Sequence, residues 1–342
     1  MSFSDEKNLR QVICKASRDG LLIKDEVKRH KKAMSYSSYS QFLSPLGDVQ
    51  ELDTDPKVTA VSLATIDGVT LEAHLTNLLE TDANPSERAL PIISLLTAMT
   101  EKAAANVQPL APSIMALSAD DVWRFEAALP YLKRLVRGFT ARGGTLPPVV
   151  TNEACVDSFL AHVIRDWNTI VRSQLGTEVA HYPQHGDLNP RNVLVGKDGR
   201  LSLIDFARFE FWPAGYDLIR FELQLILRTL SAFDEGDSFP DDFVAWWRLW
   251  TSFREPKKAL SFDSARKDMA VVAALLDVIR LSRENVWAAV GWNIDVGLRA
   301  TNLVRCYDAI KMCSYQDASP FKRLLFFSIA LSCASDSGLI RP

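Results

Sequence analysis

Several features that mark specialised proteins are absent from this sequence. Its five cysteines are scattered and form no CxxC pair, which argues against a disulfide framework or a zinc site built on such pairs. No apolar run approaches the ~20 residues that a membrane-spanning helix needs, and the longest, 324–334, is interrupted by Ser328 and Ser332. The first residues are polar and do not form a secretory signal. We therefore predict a cytoplasmic protein with reduced thiols and no membrane partner.

An excess of positive charge is also missing. Lys and Arg total 39 against 42 Asp and Glu, so the net charge is −3 and we predict no nucleic-acid partner. The 342 residues are 47% apolar, which is enough for one large domain or two coupled lobes with a substantial core.

The pattern of predicted secondary structure changes near residue 66. Residues 1–66 mix short β-like runs with one polar helix, whereas 67–342 is mainly helical around a strand-rich island at 185–206. In the first part we predict strands at 9–15 and 57–66, a turn at Asp19-Gly20 and a helix at 25–43. In the second part we predict helices beginning at Thr70 and covering about 90–105, 119–137, 153–175, 216–231, 241–252, 264–289, 294–313 and 319–334.

The island carries the densest group of polar residues that could support chemistry. It reads His185-Gly-Asp-Leu-Asn-Pro-Arg-Asn192, followed by two short apolar runs joined by Lys197-Asp198-Gly199 and ending at Asp205. Apolar runs on either side of such a turn predict a β-hairpin. The hairpin would return Asp205 to the end that holds Asp187 and Asn192.

Two carboxylates and an amide oxygen gathered in this way suit Mg²⁺, which prefers hard oxygen ligands together with phosphate oxygens. Phosphoryl transfer needs such a metal, and it also needs a carboxylate that faces the acceptor hydroxyl. The spacing matches an H-x-D-L-x-x-x-N loop followed by a D-F dipeptide.

These residues resemble the kinase-like phosphotransferases of the aminoglycoside phosphotransferase and choline kinase type, which share an HGDLxxxN loop and a following IDF. Gly186 replaces the arginine of protein kinases, Ala207 replaces the glycine of DFG, and no A-P-E triplet follows. The continuation 205–222 is similar to a bacterial offshoot, the ternary complex-associated domain family. The resemblance implies an α+β, protein-kinase-like fold of two lobes: a truncated N-terminal β lobe over 1–66 and a large helical C-terminal lobe over 67–342.

The resemblance also implies a role for each matching residue. Asp187 would be the catalytic base or the carboxylate that orients the acceptor hydroxyl, and Asn192 and Asp205 would hold Mg²⁺. His185 would brace the loop rather than take part in chemistry. Asp217 would support the loop backbone from the start of the next helix.

The cation expected against the nucleotide phosphates is a strand lysine paired with a helix glutamate. Val12-Ile-Cys-Lys15 has the form of that strand, and Glu26 follows it near the start of a helix. Leu21-Leu-Ile-Lys24 has the same form, but no glutamate beyond Glu26 follows it on the helix at a comparable spacing, so we favour Lys15 with Glu26. The competing interpretation is a solvated lysine and a glutamate that interacts with the helix dipole.

A Gly-rich loop over the phosphates is not found. It would require two strands before the lysine strand, about 20–30 residues, whereas fourteen residues precede Lys15 and none is glycine. Either the chain starts late or the fold lacks a phosphate lid.

Three hypotheses for the function follow. The first is an ATP- and Mg²⁺-dependent phosphotransferase that acts on a hydroxyl of a small-molecule acceptor. The second is a non-catalytic nucleotide-binding or regulatory module with a protein partner in a larger bacterial assembly, which the missing Gly-rich loop favours. The third is a helical scaffold with a decayed site.

Overall fold

Helices dominate the structure, and antiparallel strands form three small sheets. The computed structural model describes residues 2–5, 10–43, 46–52, 58–65, 67–82, 84–110, 115–150, 152–175, 179–229, 239–254, 267–313 and 319–340. Within these ranges no helix is both long enough and apolar enough to cross a bilayer.

The N-terminal sheet has four strands in the order β1-β2-β4-β3. These are β1 (Ser2–Asp5), β2 (Arg10–Ser17), β3 (Leu46–Leu52) and β4 (Val58–Thr65). The predicted strands 9–15 and 57–66 correspond to the central pair. The expected sequence of strand, helix and strand must be corrected to include the two outer strands. Edge strands pair on one side only, so their sequences need not show the apolar, β-branched pattern of a buried strand.

The first helix begins earlier than the sequence suggests. Asp19 accepts a hydrogen bond from the backbone N–H of Leu21 at 3.0 Å, so the expected turn at Asp19-Gly20 is the N-cap of helix α1 (Gly20–Met34). The predicted helix over 25–43 is divided, and its second part is the short α2 (Ser37–Ser40). Helix α1 packs on the sheet through a small apolar cluster of Ile23, Val27 and Val61.

The predicted hairpin is present as β8 (Val193–Gly196) and β9 (Leu201–Leu203). Gly199 in the connecting turn has φ +78°, a conformation that glycine adopts without steric cost. Strand β5 (Gly68–Thr70) pairs with β8 and leads directly into helix α3 (Leu71–Thr81).

A third sheet, of order β10-β7-β6, has strands on both sides of the segment 185–206 in sequence. Its strands are β6 (Gln108–Leu110), β7 (Val179–Gln184) and β10 (Glu210–Pro213). The strand-rich island therefore extends beyond the predicted 185–206 at both ends. Strand β7 leads into the polar loop 185–192, and the paired β10 follows the turn after Asp205, so the two segments leave one sheet side by side.

The remaining helices form the bulk of the C-terminal part. They are α4 (Pro85–Ala103), α5 (Ala119–Ala141), α6 (Ala154–Phe159), α7 (Trp167–Leu175), α8 (Tyr216–Thr229), α9 (Phe239–Arg254), α10 (Lys267–Ala289), α11 (Ile294–Cys313) and α12 (Pro320–Asp336). The single helix predicted over 153–175 is interrupted by a wider π-turn at Leu160–Ile164. Helices α10 and α11 pack against α8, and Asp217 of α8 bonds to the backbone of the polar loop at 185–186.

Candidate active site

The polar loop 185–192 turns sharply at Gly186. Its φ is +75°, and a Cβ atom at this position would lie 2.3 Å from both the carbonyl oxygen of Arg208 and Nε1 of Trp212. The Trp212 indole in turn donates to that carbonyl at 3.0 Å. Glycine is therefore required here for its conformation and for its size. The close approach brings the segment around Arg208 directly against the loop.

Two buried side chains fix the loop backbone. The Asp217 carboxylate accepts hydrogen bonds from the backbone N–H groups of His185 at 2.6 Å and Gly186 at 2.9 Å. Gln184 accepts from the backbone N–H of Asp217 at 2.9 Å and donates to two carbonyls of β10 at 2.8 Å. Burial raises the pKa of Asp217 above its usual value, although both amides and nearby positive charge favour the ionised form.

His185 makes contacts that immobilise it. Its Nε2 lies 2.9 Å from the carbonyl oxygen of Ile204, and its ring packs on Phe206 with centroids 4.5 Å apart. These contacts join the catalytic loop to the end of the hairpin. The side chain is fully buried, which fits a bracing function.

Asp187 lies at the meeting point of several donors. Arg220 on α8 donates from Nε to Asp187 Oδ1 at 2.8 Å and from Nη2 to the same oxygen. The Asn192 amide contacts the carboxylate more weakly, at 3.4 Å. Burial alone would raise the pKa of Asp187, but the charge and hydrogen bonds of Arg220 outweigh burial and lower it. The group is therefore ionised at neutral pH.

Asn192 and Asp205 sit on adjoining backbone segments at the open end of the hairpin. The backbone N–H of Ile204 donates to the carbonyl of Asn192 at 3.0 Å, and Asp205 follows immediately. Asp205 has φ +67° and ψ +63°, and it is the one non-glycine residue with positive φ in the described ranges. Aspartate tolerates this left-handed conformation better than most residues do, and such outliers concentrate at functional sites.

Lys15 and Glu26 are in contact, as the sequence pattern predicted. Lys15 Nζ lies 2.6 Å from Glu26 Oε1 and 2.9 Å from Asp205 Oδ1. Burial lowers the pKa of Lys15, but the two carboxylates outweigh burial and raise it, so the ammonium is charged at neutral pH. The N-terminal lobe thus places one cation on the predicted metal ligand.

The competing lysine lies elsewhere. Lys24 is inside helix α1 rather than on a strand, and it forms an exposed ion pair with Glu51 at 3.3 Å. It has no contact with Asp205 among those of the described residues. The structure therefore brings Lys15, and not Lys24, to the hairpin.

The side-chain oxygen atoms of Asn192 and Asp205 are suitable ligands for a small divalent cation. The Asn192 nitrogen donates to the carbonyl and carboxylate of Asp187, which leaves Asn192 Oδ1 as a free acceptor among the described residues. Asp205 uses Oδ1 for Lys15, and its side chain is 36% exposed, so a ligand from solvent can reach the carboxylate. No cluster of three or more His, Cys, Asp or Glu in the described ranges could hold a metal by itself. An ion at this position would complete its shell with phosphate oxygens and water, as Mg²⁺ commonly does.

Arg220, Asp308 and Gln184 belong to this arrangement but were not predicted. Arg220 donates from Nη1 to Asp308 Oδ1 at 3.1 Å, and Asp308 on α11 is fully buried. Arg220 lies three residues after Asp217, hence on the same face of α8, and that spacing was an available signal. Asp308 lies far away in sequence, and nothing local indicated it.

A comparison with protein families identifies this region independently. The sequence model of one family, described as the phosphotransferase enzyme family (APH), matches residues 82–256, which is about half of the chain and includes the whole loop, hairpin and Asp217. No curated protein matches the chain in sequence.

Several solved structures are similar to the chain at low identity. Spectinomycin phosphotransferase APH(9)-Ia, in complex with ADP and spectinomycin, is 11% identical over 99% of this chain and 89% of that one, with a TM-score of 0.42. An aminoglycoside phosphotransferase from Alicyclobacillus acidocaldarius is 11% identical over 98% and 87%, with a TM-score of 0.37. A thermostable mutant of APH(4)-Ia is 16% identical over 91% and 93%, with a TM-score of 0.33.

The family match covers the predicted motif, and the mixture of helices with small antiparallel sheets agrees with the α+β fold that the resemblance implied. Both the expected family and the expected fold class are therefore confirmed. The chain belongs to the phosphotransferase enzyme family.

Proposed function

We propose that this chain transfers the γ-phosphoryl group of ATP, in the presence of Mg²⁺, to a hydroxyl group of a small molecule. The observation that carries the proposal is the ionised Asp187 carboxylate beside Asn192, on a loop next to the hairpin end where Asp205 contacts Lys15 of strand β2. Phosphoryl transfer depends mainly on positioning and on neutralisation of charge, and these residues can provide both.

Different residues would contact the nucleotide and the acceptor. Lys15, oriented by Glu26, would face the nucleotide phosphates, and Asn192 and Asp205 would hold the ion. When bound, Mg²⁺ neutralises charge on the phosphate oxygens. Asp187 would accept a hydrogen bond from the acceptor hydroxyl and direct its oxygen at the γ-phosphorus.

The lowered pKa of Asp187 specifies how that residue would act. A carboxylate stabilised by Arg220 is a weak base, so it orients the hydroxyl and takes up the proton only as the bond from acceptor oxygen to phosphorus forms. The bond between the γ-phosphorus and the bridging oxygen breaks in the same step, and ADP leaves.

Metal-dependent nucleotide binding tests the nucleotide half of the proposal. Isothermal titration with Mg-ADP and with ADP plus EDTA should show that Mg²⁺ strengthens binding. Asp205→Asn should abolish this gain and leave metal-free ADP binding nearly unchanged, whereas Asp198→Asn on the hairpin turn should retain it. Equal binding of ADP with and without Mg²⁺ would contradict the assigned ion ligands.

Acceptor-dependent release of ADP tests transfer itself. A panel of hydroxyl compounds should include at least one that accelerates ADP release from Mg-ATP and gains a phosphate detectable by mass spectrometry. Tight Mg-ADP binding without any such acceptor would favour the non-catalytic module instead. Failure to bind nucleotide at all would favour the helical scaffold.

A further inference from the structure

Arg208 is a charged side chain beside the catalytic loop that the proposed reaction does not use. Its backbone carbonyl lies so close to Gly186 that no side chain fits between them. The residue is half-buried, and none of the carboxylates in the described ranges forms an ion pair with it. Burial lowers the pKa of Arg208, but neighbouring groups that include the buried Asp308 outweigh burial and raise it, so the guanidinium is charged. Because it has no direct ion-pair partner among the described residues, its N–H groups can bind an anionic ligand.

The other charged groups near Asp187 already have partners. Arg220 is shared between Asp187 and the fully buried Asp308. Glu222, on the same helix α8, binds two arginines of α10 and α11 at 2.6 and 2.9 Å. Neither Asp308 nor Glu222 is exposed, so neither can receive an ammonium group of a ligand. Among the described residues, Arg208 is thus a cation whose charge lowers the pKa of Asp187 and which has no ion-pair partner of its own.

A cation–π contact with Trp212 positions the Arg208 guanidinium. Its central carbon lies 5.1 Å from the centroid of the Trp212 ring, which stacks on Tyr216 at 4.2 Å and 16° between planes. Both rings are buried, so they form a wall behind the guanidinium. An arginine oriented in this way loses little side-chain entropy when it binds a planar or tetrahedral anion through two N–H groups.

We propose that Arg208 is the anchor for an anionic group, a phosphate or a carboxylate, carried by the acceptor next to the hydroxyl that Asp187 orients. This inference rests on the proposed function, because it takes Asp187 as the point at which the acceptor hydroxyl is held. It names an acceptor class opposite in charge to the polycationic aminoglycosides, whose ammonium groups would be repelled by an unpaired guanidinium.

Direct binding of small probes tests the inference without requiring turnover. The probes are glycerophosphate, glycerate and glycerol, which share a hydroxyl-bearing backbone and differ in charge, together with hygromycin B as an aminoglycoside. Each is titrated by calorimetry at constant ionic strength, both with saturating Mg-ADP and without nucleotide. We expect the two anions to bind about tenfold or more tightly than glycerol, a difference of about 1.4 kcal/mol.

Matched variants assign that preference to one side chain. Arg208→Met should remove the preference for the anions, and Arg208→Lys should retain part of it because charge remains without the planar fork. Arg200→Met is the control, because Arg200 is an exposed arginine of the hairpin turn paired with Asp198, and it should bind as the unaltered chain does. Arg208→Gln provides a second neutral variant if the methionine variant does not fold.

The result that would overturn the inference is specific. Anions that bind no more tightly than glycerol, an anion preference that survives Arg208→Met, or tighter binding of hygromycin B than of the anions would each contradict it. Failure of Mg-ADP to bind would overturn the proposed function, whereas the titrations without nucleotide would still decide the role of Arg208.

Discussion

The two halves of the proposed active site are held together by different kinds of interaction. The catalytic loop is fixed by Asp217 and Gln184, which are fully buried and bond directly to backbone groups. The nucleotide half consists of ion pairs between Lys15, Glu26 and Asp205, all of them partly exposed to solvent. Buried hydrogen bonds are expensive to break, whereas exposed ion pairs contribute little and exchange partners easily.

The surrounding cores differ in the same way. Among the side chains that the structure describes, helix α1 and its sheet share a small separate cluster of three buried apolar residues, whereas the loop 185–192 rests on the main core of the C-terminal helices. The residue proposed to act on the acceptor, Asp187, therefore has a preset position. The lysine on the phosphate side can leave Asp205 for a nucleotide at small cost.

The largest effect should come from the preset half. Asp187→Asn removes the charge that orients the acceptor hydroxyl, and we expect kcat to fall by about 10²–10⁴-fold. The assay is acceptor-dependent ADP release, with circular dichroism as the check on folding. The same change at Asp198 on the hairpin turn should leave kcat unaltered, and an Asp187→Asn enzyme with full activity would refute the assigned role.

The next largest effect should be on stability, and it should differ between the two halves of the site. Asp217→Ala leaves two buried N–H groups without an acceptor, and we expect a loss of about 2–6 kcal/mol in the free energy of unfolding by urea, at about 1–3 kcal/mol for each group. Glu26→Ala breaks a partly exposed ion pair and should cost less than about 1 kcal/mol. Similar losses in the free energy of unfolding for both variants would show that the two halves are held equally strongly.

Nucleotide use should depend on one lysine and not on the other. Lys15→Met removes the cation against the phosphates, and we expect kcat/KM for ATP to fall on the order of a hundredfold with little change in stability. Lys24→Met, which breaks an exposed pair with Glu51, is the matched control and should behave as the unaltered enzyme. If Lys24→Met lowered kcat/KM for ATP and Lys15→Met did not, Lys24 would be the lysine that contacts the nucleotide.

The smallest effect should be a shift in pH dependence. Arg220 lowers the pKa of Asp187, so activity that needs the ionised carboxylate is present above the lowered pKa and is lost only as the pH falls through it. Arg220→Met removes the strongest of the interactions that oppose burial, so it should move the acid limb of kcat/KM upward by about 1–3 pH units. Arg220→Lys keeps a positive charge and should shift it less. An acid limb that does not move would show that Arg220 has no control over Asp187.

Sequence patterns predicted the parts of this molecule that are local. The hairpin was predictable because two apolar runs flank Lys197-Asp198-Gly199, and the long helices because their apolar positions recur at helical spacing. Lys15 and Glu26 were paired because kinase-like sites use a strand lysine with a helix glutamate and these two residues have the matching form and spacing, and the structure places them in contact. Their catalytic roles stay predictions that the variants above test.

Other features could not be predicted because they depend on tertiary contacts. Strand β3 contains Gly47 and Asp48, and as an edge strand it leaves Val49 and Leu52 exposed, so its sequence has no buried-strand pattern. Asp308 reaches Arg220 from a helix almost ninety residues later. Only the packing of α11 against α8 brings these two charges together.

The backbone turn at Gly186 has a consequence for how related sequences can vary. Replacing Trp212 with a smaller residue would not make room for a side chain at position 186, because the other obstacle is a main-chain oxygen and because φ is positive. A relative that keeps the Asp, Asn and Asp of this motif but carries a larger residue at the glycine position must route the stretch after its second aspartate differently. In such a relative, the segment after the second aspartate would therefore place different side chains next to the acceptor.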